Sequence, residues 1–166
     1  GVKGSRLILF APTGVTDRAA APKRFALIVG IDEFLDEGFP RLSYARADAR
    51  AMAKALTPAF DEIMLRVTPE ETSRTAILQA LSQLGAKASH PQDTVLIYLS
   101  SLGYLAAESG GALKRTLVLH DSSMALLAET GLPVEGLIRV LDSMKSKRKL
   151  LILATCHSGK GKSQLS

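Results

Sequence analysis

The sequence predicts an α/β fold on a mostly parallel sheet of about four core strands. Three observations carry this. Short apolar runs recur within Phe25–Ile31, Asp93–Leu99 and Lys149–Ala154, as in strands covered on both faces. Stretches with helical spacing lie between them. Strand and helix alternate, which implies parallel strands, right-handed crossovers and helices on both faces.

Taken in order, residues 1–24 read as an edge strand or linker, with a strand candidate at Leu7–Phe10 and a connector rich in Pro, Gly and Ala. Phe25–Ile31 is the first buried strand, and Asp32–Pro40 is an acidic loop. Leu42–Leu56 places Leu42, Ala45, Ala49, Met52, Ala53 and Leu56 at helical spacing, and Thr57-Pro58 stops it. Asp61–Val67 alternates as a second strand. Thr72 or Ser73 caps a second helix whose inward face is Ile77, Leu78, Leu81 and Leu84. After the strand Asp93–Leu99, Ser100–Gly103 read as a small-residue loop. Tyr104–His120 reads as a hairpin or irregular insertion around the polar turn Glu108–Gly111. Pro133 opens a third helix with Val134, Leu137, Ile138 and Leu141 inward, and Lys149–Ala154 is the fourth core strand.

Composition narrows the function classes. The chain has 166 residues, a net charge of +5 and 46% hydrophobic residues, which suits one globular domain with a core. No run approaches the ~18 apolar residues that span a bilayer, and the opening residues do not read as a signal peptide. The single cysteine permits no internal disulfide and fits a reducing, cytoplasmic setting. Basic residues are scattered apart from Lys145–Lys149 and Lys160–Lys162, and there is no Trp. Nucleic-acid binding through stacked bases is therefore not expected, nor is a membrane partner. CHSGKGKS approaches a phosphate-loop pattern, but Cys156 stands where its first glycine belongs and no helix follows.

The chemistry concentrates at Lys149–Gly159, KLLILATCHSG. An apolar strand delivers the only cysteine to a loop at its carboxyl end, where ligands collect in open parallel sheets. A lone cysteine with histidines elsewhere is a candidate nucleophile. Seven residues follow Gly159, so this strand would have an unpaired apolar edge, which is an aggregation hazard. Further strands, from additional chain or from a partner, are expected to cover it.

Three stretches resemble the caspase-like cysteine peptidases, nearest to metacaspases and their bacterial relatives. RFALIVGIDEF with LSYARADARAMAKAL is similar to the family's opening strand and its Asn-Asp-Ala helix start, here Ala47-Asp48-Ala49. DTVLIYLSSLGY is similar to the strand that ends in Ser-Gly-His-Gly. LLILATCHSG is similar to the strand before Asp-x-Cys-His-Ser-Gly. The resemblance implies a three-layer α/β/α caspase-like sandwich over residues 25–159, a large-subunit portion without the small-subunit strands, with 160–166 as a basic tail opening the intersubunit linker.

The resemblance also implies roles. Cys156 falls on the nucleophile. Gly103 falls on the glycine whose N–H helps hold an oxyanion together with that of Cys156. Asp48 falls on an acid that helps bind a basic substrate side chain. Leu102 replaces the catalytic histidine, Ala154 replaces the second pocket acid, and Ser101 replaces a glycine. Leucine can neither deprotonate a thiol nor protonate a leaving group, and it brings apolar surface beside it. Without the carboxylate at position 154, preference for Arg or Lys weakens. Of the histidines, His157 would point away from Cys156 in an extended loop. His90 lies at the sheet's amino end, and the position of His120 is open. Asp121 has no assigned role. Asp32, Glu33, Asp36 and Glu37 do not match a calcium loop, and no cofactor is expected beyond the calcium that some metacaspases need.

The expectation is a catalytically impaired pseudo-peptidase acting as a regulatory or binding module for a peptide or protein ligand. Two alternatives stand beside it. One is an active cysteine endopeptidase whose base comes from His120, a missing segment or a partner chain. The other is a structural assembly domain that pairs a small-subunit segment or a second copy on the edge of the fourth strand.

Overall fold

The computed structural model describes residues 21–156, and its longest strand organises the rest. Six strands form the sheet: β1 (Arg24–Gly30), β2 (Glu62–Arg66), β3 (Thr94–Ala107), β4 (Leu113–Leu117), β5 (Leu132–Pro133) and β6 (Arg148–Cys156). The helices are α1 (Ala45–Leu56), α2 (Arg74–Lys87), the short α3 (Leu127–Thr130) and α4 (Val134–Ser143). The amino half of β3 runs parallel to β1 on one flank and to β6 on the other, and β2 extends the sheet beyond β1. The carboxyl half of β3 pairs antiparallel with β4, which pairs with β5.

Alternation along each strand sends side chains into two cores. Phe25, Leu27, Val29, Val95, Ile97 and Leu99 face α2 and α4, where Ile77, Leu81, Leu84, Leu137 and Leu141 close the core. Ala26, Ile28, Leu96 and Tyr98 face α1, which meets them through Ala49 and Ala53. The result is a three-layer α/β/α sandwich with four parallel strands in the order β2-β1-β3-β6. Leu27, Ile97 and Leu137 are fully buried, and each such side chain contributes about 2 kcal/mol of apolar transfer.

Several sequence expectations shift. Ser100–Gly103 is not a loop but the middle of β3. The small polar residues that read as a loop are held in ladders with β6 through Leu102 and with β4 from Gly103, so tertiary pairing overrides their weak strand propensity. The hairpin expected over Tyr104–His120 is present, and β3 continues into it without a break. The first helix starts at Ala45, not Leu42. Leu78 and Ile138 are 37% and 43% exposed, not inward, because each sits beside the inward stripe of its helix. Ser73 is the cap of α2, its hydroxyl accepting from the Ala76 amide at 3.2 Å. The strand candidate Leu7–Phe10 lies outside the described residues.

The helix α1 comes close to the sheet because its contact residues are small and Gly30 has no side chain. A Cβ at Gly30 would stand 2.4 Å from the Ala45 carbonyl oxygen and 2.7 Å from the Ala49 Cβ. Gly30→Ala is expected to cost about 1–3 kcal/mol by overpacking, measured by urea denaturation. Gly85→Ala, where the new Cβ meets only the Met144 side chain at 3.6 Å, is expected to be neutral or slightly stabilising.

Candidate functional site

The pairing of β3 with β6 sets the geometry at the carboxyl end of the sheet. Ser100 lies opposite Ala154, Ser101 opposite Thr155 and Leu102 opposite Cys156. Cys156 is a free, exposed thiol at the end of β6. Leu102 is 1% exposed. It packs in a third apolar cluster with Phe39, Ala106, Val118 and Leu127. Phe39 stands between Phe34 and Tyr104, each 5.7 Å from it between ring centroids. Leu102 therefore belongs to a closed core, and the apolar contact expected around the thiol is not realised as burial, since Cys156 remains exposed.

Gly103 follows with its backbone turned toward β6. The Val118 amide donates to the Leu102 carbonyl at 2.9 Å, so the polar groups of Leu102 face β4. Alternation then directs those of Gly103 to the flank occupied by β6. Ala154 is half-buried and packs against the α1 core. Asp48 lies exposed in the first turn of α1, where its charge complements the helix dipole.

The histidines are dispersed. The His120 ring is held by its Nδ1 at 2.8 Å from the Glu33 carbonyl, and its backbone amide donates to Thr72 at 3.0 Å. The chain leaving β4 runs along the β1 side of β3. The Ile31 and Val118 amides donate to the Ser100 and Leu102 carbonyls, which point to that one side, whereas β6 lies on the other. With β3 between them, backbones on the two flanks are about 10 Å apart. His90 precedes β3 and lies at the amino end of the sheet, its amide bonded to Asp93 at 3.1 Å. His157 lies outside the described residues. Among the described residues, no histidine is brought beside Cys156.

Residues 23–166 match the family model described as the caspase domain. The chain belongs to the caspase domain family. Its fold is similar to the crystal structure of protein GSU0716 from Geobacter sulfurreducens, with a TM-score of 0.63 and 21% identity over 83% of this chain. The chain spans about half of that protein, 52% of its length. No curated protein matches. No described helix of this caspase domain is long and apolar enough to cross a membrane.

The acidic loop after β1 has a structural role in this caspase domain. Asp32 is 8% exposed and caps α1 from outside the helix, accepting from the Ala45 amide at 2.8 Å and the Arg46 amide at 3.3 Å. Its second oxygen lies 3.6 Å from Arg46 Nε. Glu33 pairs with Arg41 at 2.6 Å and Arg46 at 3.4 Å. Asp36 accepts from the Gly38 amide at 2.8 Å and from the Met124 amide at 2.7 Å. Asp121 caps α2 in the same manner, accepting from the Arg74 amide at 2.8 Å. These partners lie up to 88 residues away in sequence, so local capping patterns did not reveal them. Among the described residues, no group of three or more His, Cys, Asp or Glu is placed to hold a metal ion.

Leu102→Ala should cost about 2–5 kcal/mol, because it leaves a cavity in a closed cluster, read from the urea midpoint. The amides of Met124 and Gly38 hold the Asp36 carboxyl below its ordinary value. Its stabilisation is therefore present above the ordinary value of 3.8 and is lost as pH falls below it. Asp36→Asn should be less stable than wild type at neutral pH, and the two melting curves should converge in acid.

Proposed function

We propose that this caspase domain is a pseudo-peptidase of the metacaspase-like branch, a module that binds a peptide or protein and does not cleave it. The supporting observation is the pairing of Leu102 with Cys156. The sequence resemblance implies a catalytic base at position 102, and a leucine buried among Phe39, Val118 and Leu127 occupies it. An aliphatic side chain exchanges no proton, and losing one member of such a nucleophile and base pair costs about four to six orders of magnitude in rate. The ring of His120, tied to the Glu33 carbonyl across β3, supports the same reading. Ala154 offers methyl surface where an acid would attract Arg or Lys, leaving the exposed Asp48 as the one acid of that pair.

The partner side of the reading rests on β6. Among the described residues it pairs only with β3. Its Leu150 is 52% exposed, and Leu151–Thr155 are only half-buried. An edge this apolar supports a strand-adding partner, either a small-subunit segment or a second copy of the chain.

The test is turnover of fluorogenic peptides ending in Arg, Lys or Asp, with and without calcium. No cleavage above that of Cys156→Ala is expected, and turnover that Cys156→Ala abolishes would overturn the reading. Iodoacetamide should alkylate Cys156 at neutral pH no faster than it does free cysteine. A rate more than about tenfold higher would instead indicate an activated thiol.

A further inference from the structure

We propose that the furrow between α2 and α4 is a docking site for a protein partner that presents an acidic amphipathic helix. This site is separate from the pseudo-peptidase reading. It opens on the outer surface of the helical layer, toward the amino end of the sheet and away from Cys156.

The furrow has a volume of about 330 Å³. Its lining mixes apolar Leu81, Val140 and Met144 with the hydroxyls of Ser82, Ser89 and Ser143. Gly85 keeps it open. A Cβ there would lie 3.6 Å from the Met144 Cγ, so any larger side chain at position 85 would extend into the free space. On α2, Leu78, Ser82 and Gly85 lie four and three residues apart, which is one stripe of the helix surface. Leu78, 37% exposed, thus continues the apolar track beyond the furrow. Two helices side by side on a sheet leave a groove of the width that accepts the side-chain ridge of a third helix.

Charge selects the partner. Among the described residues, Lys145 is the one charged residue lining the furrow, and no carboxylate lines it. Lys147 and Arg148, both exposed, follow at the same end. Of the acids at this end of the fold, Asp142 is exposed on α4, Asp93 is buried with its carboxylate accepting from the Lys23 and His90 amides, and Glu62 is paired with Lys87 at 2.8 Å. The rim is positive, so it attracts a helix with carboxylates beside its apolar stripe and repels a basic one. The concave shape favours inserted side chains over a bilayer surface, which is met by flat or convex apolar faces with aromatic anchors, and the chain has no Trp.

The experiment uses fluorescence anisotropy with the whole chain and a fluorescein-labelled helical peptide of about four turns. The peptide carries Leu at successive third and fourth positions and Glu elsewhere, and a matched peptide carries Lys in place of Glu. Saturable binding of the acidic peptide alone is expected. It should weaken at least tenfold in Gly85→Leu, in Ser82→Arg, and in Lys145→Glu combined with Lys147→Glu. Ser82 is exposed on α2, so Ser82→Arg obstructs the furrow without touching the core and serves if Gly85→Leu fails to fold. No saturation, equal binding of the basic peptide, or binding unaffected by both furrow variants would overturn the proposal. Sedimentation with phosphatidylserine vesicles that Ser82→Arg abolishes would overturn it too, by assigning the furrow to a membrane surface.

Discussion

The structure depends on one interaction above the others, the ladder that ties β3 to its two parallel neighbours. β3 pairs with β1 from Thr94 to Ser100 and with β6 from Thr94 to Leu102. A shift of one residue in either ladder would turn every side chain to the opposite face. Leu96 and Tyr98 would leave the α1 core, and Val95 and Ile97 would leave the core beneath α2 and α4. Both faces are buried, so the arrangement is strongly specified, and Leu102 is held opposite Cys156 as a consequence.

That same strand serves two purposes along its length. Its amino half is the centre of a parallel sheet. Beyond Leu102 it becomes one arm of an antiparallel hairpin, where Tyr104 and Ala106 pack toward Phe39 and Leu127. At the transition Leu102 is enclosed by aromatic and aliphatic neighbours, and the core of the hairpin extends through the position.

The loop between β1 and α1 shows how polar residues stabilise this end of the molecule. Asp32 caps α1, Asp36 joins the loop to Met124, and the Glu33 carbonyl receives the His120 ring. The bonds to Met124 and His120 link segments 88 and 87 residues apart in sequence. Together they hold Phe34 and Phe39 over the hairpin and keep His120 on the β1 side of β3. At the other end of the sheet, the Lys149 ammonium donates to the Leu141 carbonyl at 2.6 Å, at the carboxyl end of α4, where a cation complements the dipole.

The sequence by itself determined the strand order of types, the two-sided burial of β1 and β3, the helical periods and the caspase resemblance. Those properties follow from local hydrophobic spacing and from residues adjacent in the chain. Ile77, Leu81 and Leu84 lie inward because an inward stripe recurs every three or four residues, although the edges of such stripes, at Leu78 and Ile138, are decided by the neighbours available. The tertiary structure alone decided that Ser100–Gly103 is strand, that Asp32 and Asp121 are remote helix caps, and that His120 lies across β3 from Cys156. It also decided that Leu102 is enclosed while the thiol opposite it is exposed. Hydrogen bonds between distant segments and the flank on which a strand docks leave no local periodicity, so no pattern in the chain encodes them directly.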